Sequence, residues 1–215
     1  MRYANTAVAA ALIIIIGTMI AIPPARAMDP RHPDWPCQQI EVPTLSVAAF
    51  WAGPPIDDVG DAWRNDQAVS DLVLKISARR TPLADAEKAA ADFVTGSPDE
   101  KTKKAKLVIG GVFATLNGER VQVVDGIKRF AARQIELRDK INTELTTMRA
   151  DQGSTSAADN PATDKLGEQI AWDTRVFDER RHTISYVCEV PGVIEQRLGG
   201  IAHAVQGKLD EGKAQ

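Results

Sequence analysis

The most regular hydrophobic pattern in the chain lies in its second half. Apolar residues recur there at intervals of three and four, first over residues 119–150 and then over residues 164–209. Such spacing lines one face of a helix, and a sustained alternation of four and three is the heptad period of a coiled coil. The seam of the second run consists of Leu166, Ile170, Asp173, Phe177, Arg180, Ile184, Val187, Pro191, Ile194, Leu198, Ile201 and Val205. The two runs predict a hairpin of two long antiparallel helices, although the same seam would also suit pairing between two chains.

The segment between the two runs, residues 151–163, sets the register of this hairpin. It is rich in Ser, Ala and Asp and contains Gly and Pro, which is typical of a flexible loop. Folding the helices back across this loop brings together residues whose numbers total about 315, because antiparallel neighbours run in opposite directions. The register therefore predicts Leu145 opposite Ile170 and Ala131 opposite Ile184.

Shorter helices are indicated between residues 58 and 118. Asp58 or Asp61 is placed to cap the first of them, and Thr81-Pro82 is placed to start the second. Residues 97–100, Ser-Pro-Asp-Glu, form a capping box with proline at the first helical position, and they predict the start of a third helix.

Two dipeptides are expected to interrupt the long helical runs. Asn117-Gly118 predicts an end or a bend of the third helix, and Pro191-Gly192 predicts a kink or a split in the last run. No segment shows the period-two alternation of a strand. The pattern as a whole predicts an all-α protein, a helical bundle with a long antiparallel coiled-coil-like hairpin, with the helical domain over residues 58–212.

Residues 28–57 differ from the rest and are expected to form an extended strap over the helices. Three prolines fall within residues 30–36, and proline removes a backbone donor and disfavours helix at the residue before it. Thr44 is placed to cap a short apolar turn. The expected anchors of this strap on the helices are Trp35, Phe50 and Trp51.

Residues 1–27 have the pattern of an export signal. Arg2 precedes an uncharged stretch over residues 4–22, a Pro-Pro pair breaks the helix, and Ala25-Arg26-Ala27 has the form accepted by signal peptidase. The alternative is an uncleaved anchor, because the apolar stretch is just long enough to span a bilayer. Either outcome places the remaining chain outside the cytoplasm, with the periplasm as the expected compartment.

Charge and composition exclude several classes of function. The 215 residues carry a formal net charge of −3, and cleavage after residue 27 would remove two arginines and no acid, giving −5. An acidic protein is poorly suited to binding a nucleic-acid backbone, so no nucleic-acid partner is expected. The chain contains no P-loop, nucleophile-elbow or dinucleotide glycine motif. No residue is therefore assigned to catalysis, to a cofactor or to a metal.

The two cysteines, Cys37 and Cys188, are expected to form a disulfide. An exported chain matures in an oxidising compartment, where two cysteines pair more often than not. A redox-active or metal-binding pair and two separately used thiols remain alternatives, although neither cysteine belongs to a CxxC motif.

The heptad phase places Asp173 and Arg180 in the seam, where charges are costly unless they are paired. We expect Arg138 to pair with Asp173 and Glu136 to reach Arg180, so that ion pairs fix the register. One alternative is a polar pocket for a ligand or a cation. The other is a different phase of the helix, in which both seam residues are solvated.

Glu179 and His182 have the Glu-x-x-His spacing of helical di-metal sites, but the motif occurs once. Di-metal bundles need a second copy and further inward carboxylates, so this single motif does not predict a metal site. The two residues instead extend the candidate ligand or ion-pair seam, which comprises Arg138, Asp173, Glu179, Arg180 and His182.

Several motifs, taken together, resemble an exported proteobacterial family of helical proteins. They are DWPC at 34–37, WAGP at 51–54, WDTRVF at 172–177, ERR at 179–181 and YVCEVP at 186–191. The resemblance spans roughly residues 33–205. It implies an exported helical protein with this cysteine pair, and it implies no reaction, cofactor or partner.

These features predict a non-enzymatic periplasmic accessory or scaffold protein that acts on an unknown protein partner through helical surfaces. The alternative is a periplasmic carrier that binds a small ligand or a metal in the polar seam. Membrane association is expected through residues 1–27 if the signal is not cleaved.

Overall fold

The computed structural model describes residue 32, residues 34–153 and residues 161–211, and these residues form an all-α fold, as predicted. Two short 3-10 helices, Val47–Ala49 and Ala62–Asn65, precede four α-helices. The α-helices are α1 (Gln67–Ser77), α2 (Leu83–Phe93), α3 (Pro98–Gln152) and α4 (Pro161–Asp210). No strand occurs in the described residues. The predicted signal at 1–27, the first residues of the strap and the centre of the 151–163 loop lie outside them.

The two long helices α3 and α4 form an antiparallel hairpin. Arg120 of α3 pairs with Glu195 of α4, and Met148 approaches Gly167 near the other end. The residue numbers of both pairs total 315, so the predicted register is confirmed. None of the helices within the described part of the chain has the length and apolar character needed to cross a bilayer.

The main hydrophobic cluster lies where α1 and α2 pack against one end of the hairpin. It takes in residues 105–116 of α3 and residues 194–209 of α4, together with Trp63 and the strap residue Trp51. We call residues 131–152 and 161–184 the distal hairpin. These residues contribute nothing to the main cluster, so α3 and α4 there bury their seam only against each other and the strap.

Neither predicted interruption ends or splits its long helix. The helix α3 continues through Asn117-Gly118, and the Oδ1 of Asn117 accepts a hydrogen bond from the Leu45 backbone N–H at 3.2 Å. The side chain of Asn117 thus holds the strap instead of ending the helix. The helix α4 is not split at Pro191-Gly192, and Pro191 itself is buried.

The helix starts are confirmed in one case and corrected in the others. Ser97 and Glu100 form the predicted capping box of α3. The helix α1 starts later than predicted, because Asp66 accepts the hydrogen bond from Val69 N, while Asp61 precedes a 3-10 helix. Thr44 does not cap the short turn, which begins after Ser46 without a side-chain cap.

Thr81 does not cap α2, because its side chain forms a hydrogen bond at the end of α1. Its hydroxyl donates to the Lys75 carbonyl at 2.7 Å. Arg197 of α4 adds hydrogen bonds to the carbonyls of Ile76 and Thr81 at 2.9 and 2.7 Å. These donors satisfy carbonyls that a helix end leaves unpaired, and they fasten α1 to α4.

Two glycines of α3 provide a matched test of the packing. A Cβ at Gly111 would lie 2.8 Å from Val73 Cγ2 and 2.9 Å from Trp63 Cδ2, so we expect Gly111→Ala to lower the free energy of unfolding by about 1–3 kcal/mol. A Cβ at Gly118 would meet nothing within 4 Å. Gly118→Ala should therefore raise that free energy by about 0.5–1 kcal/mol through helix propensity. Urea unfolding of both variants measures the two effects, and changes of the same sign would contradict this packing.

Candidate functional site

The strap is joined covalently to the hairpin. Cys37 and Cys188, which are 151 positions apart in sequence, form the predicted disulfide with their Cα atoms 5.5 Å apart. The side-chain amide of Gln39 also donates a hydrogen bond to the Cys188 carbonyl. Next to the disulfide, Trp35 is buried and donates from Nε1 to the Gln39 carbonyl at 2.7 Å. The strap is thus held on the hairpin at this point by the disulfide, one hydrogen bond and the burial of the Trp35 ring against Val124 and Ile127.

A buried carboxylate adds a polar contact between the strap and α3. The Glu41 side chain is almost completely buried and forms an ion pair with Lys128. His32 Nδ1 lies 2.8 Å from the other carboxylate oxygen of Glu41. Sequence analysis missed Glu41, because the strap has no periodicity that would show which of its residues face the helices.

Arg120 connects the strap, α3 and α4, and sequence analysis missed it as well. Its side chain is 4% exposed, its Nε lies 2.6 Å from Glu195 Oε1, and its Nη1 donates to the Val42 carbonyl at 2.6 Å. A signal for this contact exists in the sequence. Arg120 lies midway between the buried residues Leu116 and Val124, four residues from each, and therefore on the apolar face of α3.

The predicted partner of Asp173, Arg138, was wrong. Asp173 is buried in the seam, as predicted, but it accepts hydrogen bonds from Lys140 Nζ at 2.7 Å and from Gln169 Nε2 at 2.9 Å. Arg138 instead pairs with the neighbouring Asp139. In this register Lys140 is nearer to Asp173 along the hairpin than Arg138 is. The long flexible stem of Lys140 brings its ammonium group to the seam while part of the side chain stays in water.

The other members of the predicted polar seam do not meet Asp173. Arg180 is exposed rather than in the seam, and Glu179 and His182 are exposed as well. A guanidinium group that can reach water avoids the desolvation that a seam position would impose. Within the described residues, no group of three or more His, Cys, Asp or Glu is placed to hold a metal ion.

The pair formed by Asp173 and Lys140 predicts a dependence of stability on pH. The hydrogen bond from Lys140, followed by that from Gln169, holds the pKa of Asp173 below its ordinary value, and the same contact with Asp173 raises the pKa of Lys140. A lowered carboxyl pKa stabilises the fold above the unfolded-state pKa, and this contribution is lost as the pH falls through the folded-state pKa. Over the range where Asp173 titrates, Lys140 keeps its charge.

We therefore expect the stability advantage of the wild type over Asp173→Asn to stay constant from neutral pH to about pH 5 and to shrink below about pH 4. Urea unfolding of both proteins across this range measures the difference. An advantage that is unchanged in acid would contradict the pairing.

An open groove of about 520 Å³ lies between residues 34–36 of the strap and the distal hairpin. Its lining residues are Asp34, Trp35, Pro36, Phe130, Ala131, Gln134, Ile135, Arg138, Phe177, Arg181 and Ile184. Ala131 and Ile184, which the register predicted to face each other, share this groove. Of the five residues of the predicted polar seam, Arg138 alone lines it.

The groove combines apolar walls with two cationic side chains and one acidic side chain, Asp34. Arg138 and Arg181 contribute guanidinium groups, while Trp35, Phe130 and Phe177 contribute aromatic surface. Gln134 donates from Nε2 to the Phe177 carbonyl at 3.2 Å, and its Oε1 is buried with no hydrogen-bond partner among the described residues. Such a site suits a molecule with an apolar body and an anionic head group. In comparisons with known proteins, no family model, no curated protein and no solved structure matches the chain.

Proposed function

We propose that the protein is a non-enzymatic accessory or scaffold protein of the periplasm that presents its hairpin to a protein partner. The observation that carries this proposal is the distal hairpin, where two long helices extend beyond the main hydrophobic cluster and are braced at their base by the strap and its disulfide. Such a helix pair offers long exposed faces held in a fixed orientation. A fixed face loses little conformational entropy when it binds a partner.

Export is part of this proposal. The signal pattern of residues 1–27 directs the chain out of the cytoplasm, and a structural disulfide persists in an oxidising compartment. Intact-mass analysis of the protein purified from its native envelope tests the processing. A chain that begins at Met28 supports a free periplasmic protein, an uncleaved chain in the membrane fraction supports a tethered one, and an uncleaved chain in the cytosol contradicts export.

Site-specific photo-cross-linking in living cells tests the scaffold function. A photoreactive amino acid replaces Glu136, which is exposed on the distal hairpin, or, as a control, Leu74, which is exposed on α1. We expect the hairpin position to give a discrete adduct with one other protein, which mass spectrometry identifies, and the α1 position to give none. The absence of an adduct from the hairpin, or equal adducts from both positions, would count against the proposal, as would substrate turnover in a broad hydrolase and redox screen.

The second candidate function is a carrier, and the groove beside Trp35 favours it. Its apolar walls and the Arg138 and Arg181 side chains indicate an anionic amphiphile, such as a medium-chain carboxylate, as the ligand class. Dodecanoate should raise the melting temperature, whereas dodecanol of the same chain length should raise it much less. The Arg138→Gln/Arg181→Gln variant should lose the preference for the anion. If neither compound raises the melting temperature, the carrier function is excluded for this ligand class.

A further inference from the structure

The helix α4 carries a second heptad row, displaced by one residue from the seam with α3. The row consists of Trp172, Val176, Glu179, Thr183, Tyr186, Val190 and Val193, with spacings that alternate between four and three. None of these residues belongs to the seam with α3. Three of its large side chains are open to solvent: Trp172 is 60% exposed, Tyr186 73% and Val193 52%. Val176 is half-buried, and Val190 packs in part against the main hydrophobic cluster.

The spacing of these exposed side chains is that of a helix–helix contact. Single exposed apolar residues are common on protein surfaces and require no explanation. Here Trp172, Tyr186 and Val193 are separated by multiples of seven residues, which keeps them on one stripe of a helix in a coiled coil. The row extends for about 30 Å along α4, at 1.5 Å per residue.

We propose that this row binds the same row of a second copy of the chain in an antiparallel homodimer. In an antiparallel coiled coil the two kinds of core position face each other, so Trp172 lies opposite Val190 of the second copy and Val176 opposite its Tyr186. At the centre Glu179 of one copy lies opposite Thr183 of the other. From Trp172 to Val190 apolar residues thus meet apolar ones and the polar residues meet at the twofold axis, while Val193 at the end of the row lies opposite Gln169.

The flanking charges favour the antiparallel direction. Arg175 and Glu189 are both exposed beside the row, and antiparallel pairing brings Arg175 of each copy to Glu189 of the other. The two copies of Arg180 face each other near the axis, each beside a Glu179 carboxylate, so the antiparallel dimer has two attractive contacts against this one between like charges. A parallel dimer would instead place Glu179 against Glu179 and Arg175 against Arg180, and like charges oppose association. Two copies of the row are therefore more complementary in the antiparallel direction than in the parallel one.

Sedimentation velocity of the mature chain over a wide concentration range tests the dimer. We expect a reversible monomer–dimer equilibrium that Tyr186→Arg abolishes, because this change places a cation within an apolar contact. Leu74→Arg alters a leucine on α1 with the same exposure as Trp172, and it should leave the equilibrium unchanged. A chain that is monomeric at every concentration would overturn the proposal, as would a dimer that Tyr186→Arg leaves intact.

A charge exchange tests both the partner and the direction. Arg175→Glu and Glu189→Arg each turn two attractive contacts of the homodimer into repulsive ones, so each should weaken self-association about tenfold. Mixing the two single variants should restore association as a heterodimer, because every contact across that interface is again between opposite charges. Both positions are exposed, and circular dichroism verifies that the variants keep their helices. If the mixture associates no better than its components, the antiparallel arrangement is wrong. The dimer goes beyond the proposed scaffold function, so its failure would leave the cross-linking test of that function unaffected.

Discussion

Replacing both cysteines with alanine is expected to lower the free energy of unfolding by up to about 5 kcal/mol, the largest effect predicted for this protein. The Cys37–Cys188 bond joins residues 151 positions apart, so it closes almost the whole described chain into one loop. A cross-link of this span removes much of the conformational entropy of the unfolded chain. Guanidinium unfolding of the oxidised wild type and of Cys37→Ala/Cys188→Ala measures the loss.

Reduction provides the control for the cysteine variant. The wild type in reductant should approach the stability of Cys37→Ala/Cys188→Ala, and the variant itself should not respond to reductant. A variant that stays within about 1 kcal/mol of the oxidised wild type would contradict the entropic account. The strap would then be held by its noncovalent contacts, chiefly the burial of Trp35 and Trp51.

The hairpin could be predicted from sequence because one physical constraint acts along its whole length. A helix pair that buries a single seam must repeat apolar residues at alternating intervals of three and four, which predicts the two helices, and the loop between them sets their register. The contacts between Arg120 and Glu195 and between Met148 and Gly167 therefore match the predicted register. The disulfide followed from a constraint of another kind, the oxidising compartment that an export signal implies.

The interruptions could not be predicted because local signals compete with tertiary packing. A glycine within a helix costs about 1 kcal/mol and a proline about 3 kcal/mol relative to alanine. Around Gly118 and Pro191 the flanking turns bury Leu116, Cys188 and Ile194. Burying one such side chain contributes about 1.5–3 kcal/mol, so the packing of both turns outweighs the local preference to stop.

The polar contacts of the site show where sequence reasoning ends. The position of Asp173 followed from the heptad phase, but its partner depended on which long side chain reaches it, and Lys140 rather than Arg138 does so. Glu41 could not be placed at all, because an extended strap has no repeating face. Its contacts with Lys128 and His32 exist only once the strap lies on α3.

Arg120 and Glu195 provide the second large effect, and we expect it to be asymmetric. The Arg120 side chain is 4% exposed, whereas that of Glu195 is 34% exposed. Glu195→Met leaves a guanidinium group buried without its counter-charge and should lower the free energy of unfolding by about 3–5 kcal/mol. Arg120→Met leaves a carboxylate that can still reach water, together with an unpaired Val42 carbonyl, so its cost should lie at or below the lower end of that range.

The double variant Arg120→Met/Glu195→Met completes this cycle. Because it leaves no unpaired charge, we expect it to be more stable than Glu195→Met alone, and well short of the sum of the two single losses. Lys88→Met removes the exposed pair with Asp92 and serves as the control, with little change expected because water already screens that pair. Urea unfolding of the four variants measures the cycle. If Arg120→Met were the costlier single change, or if the two losses simply added, the desolvated guanidinium group would not be what makes this contact strong.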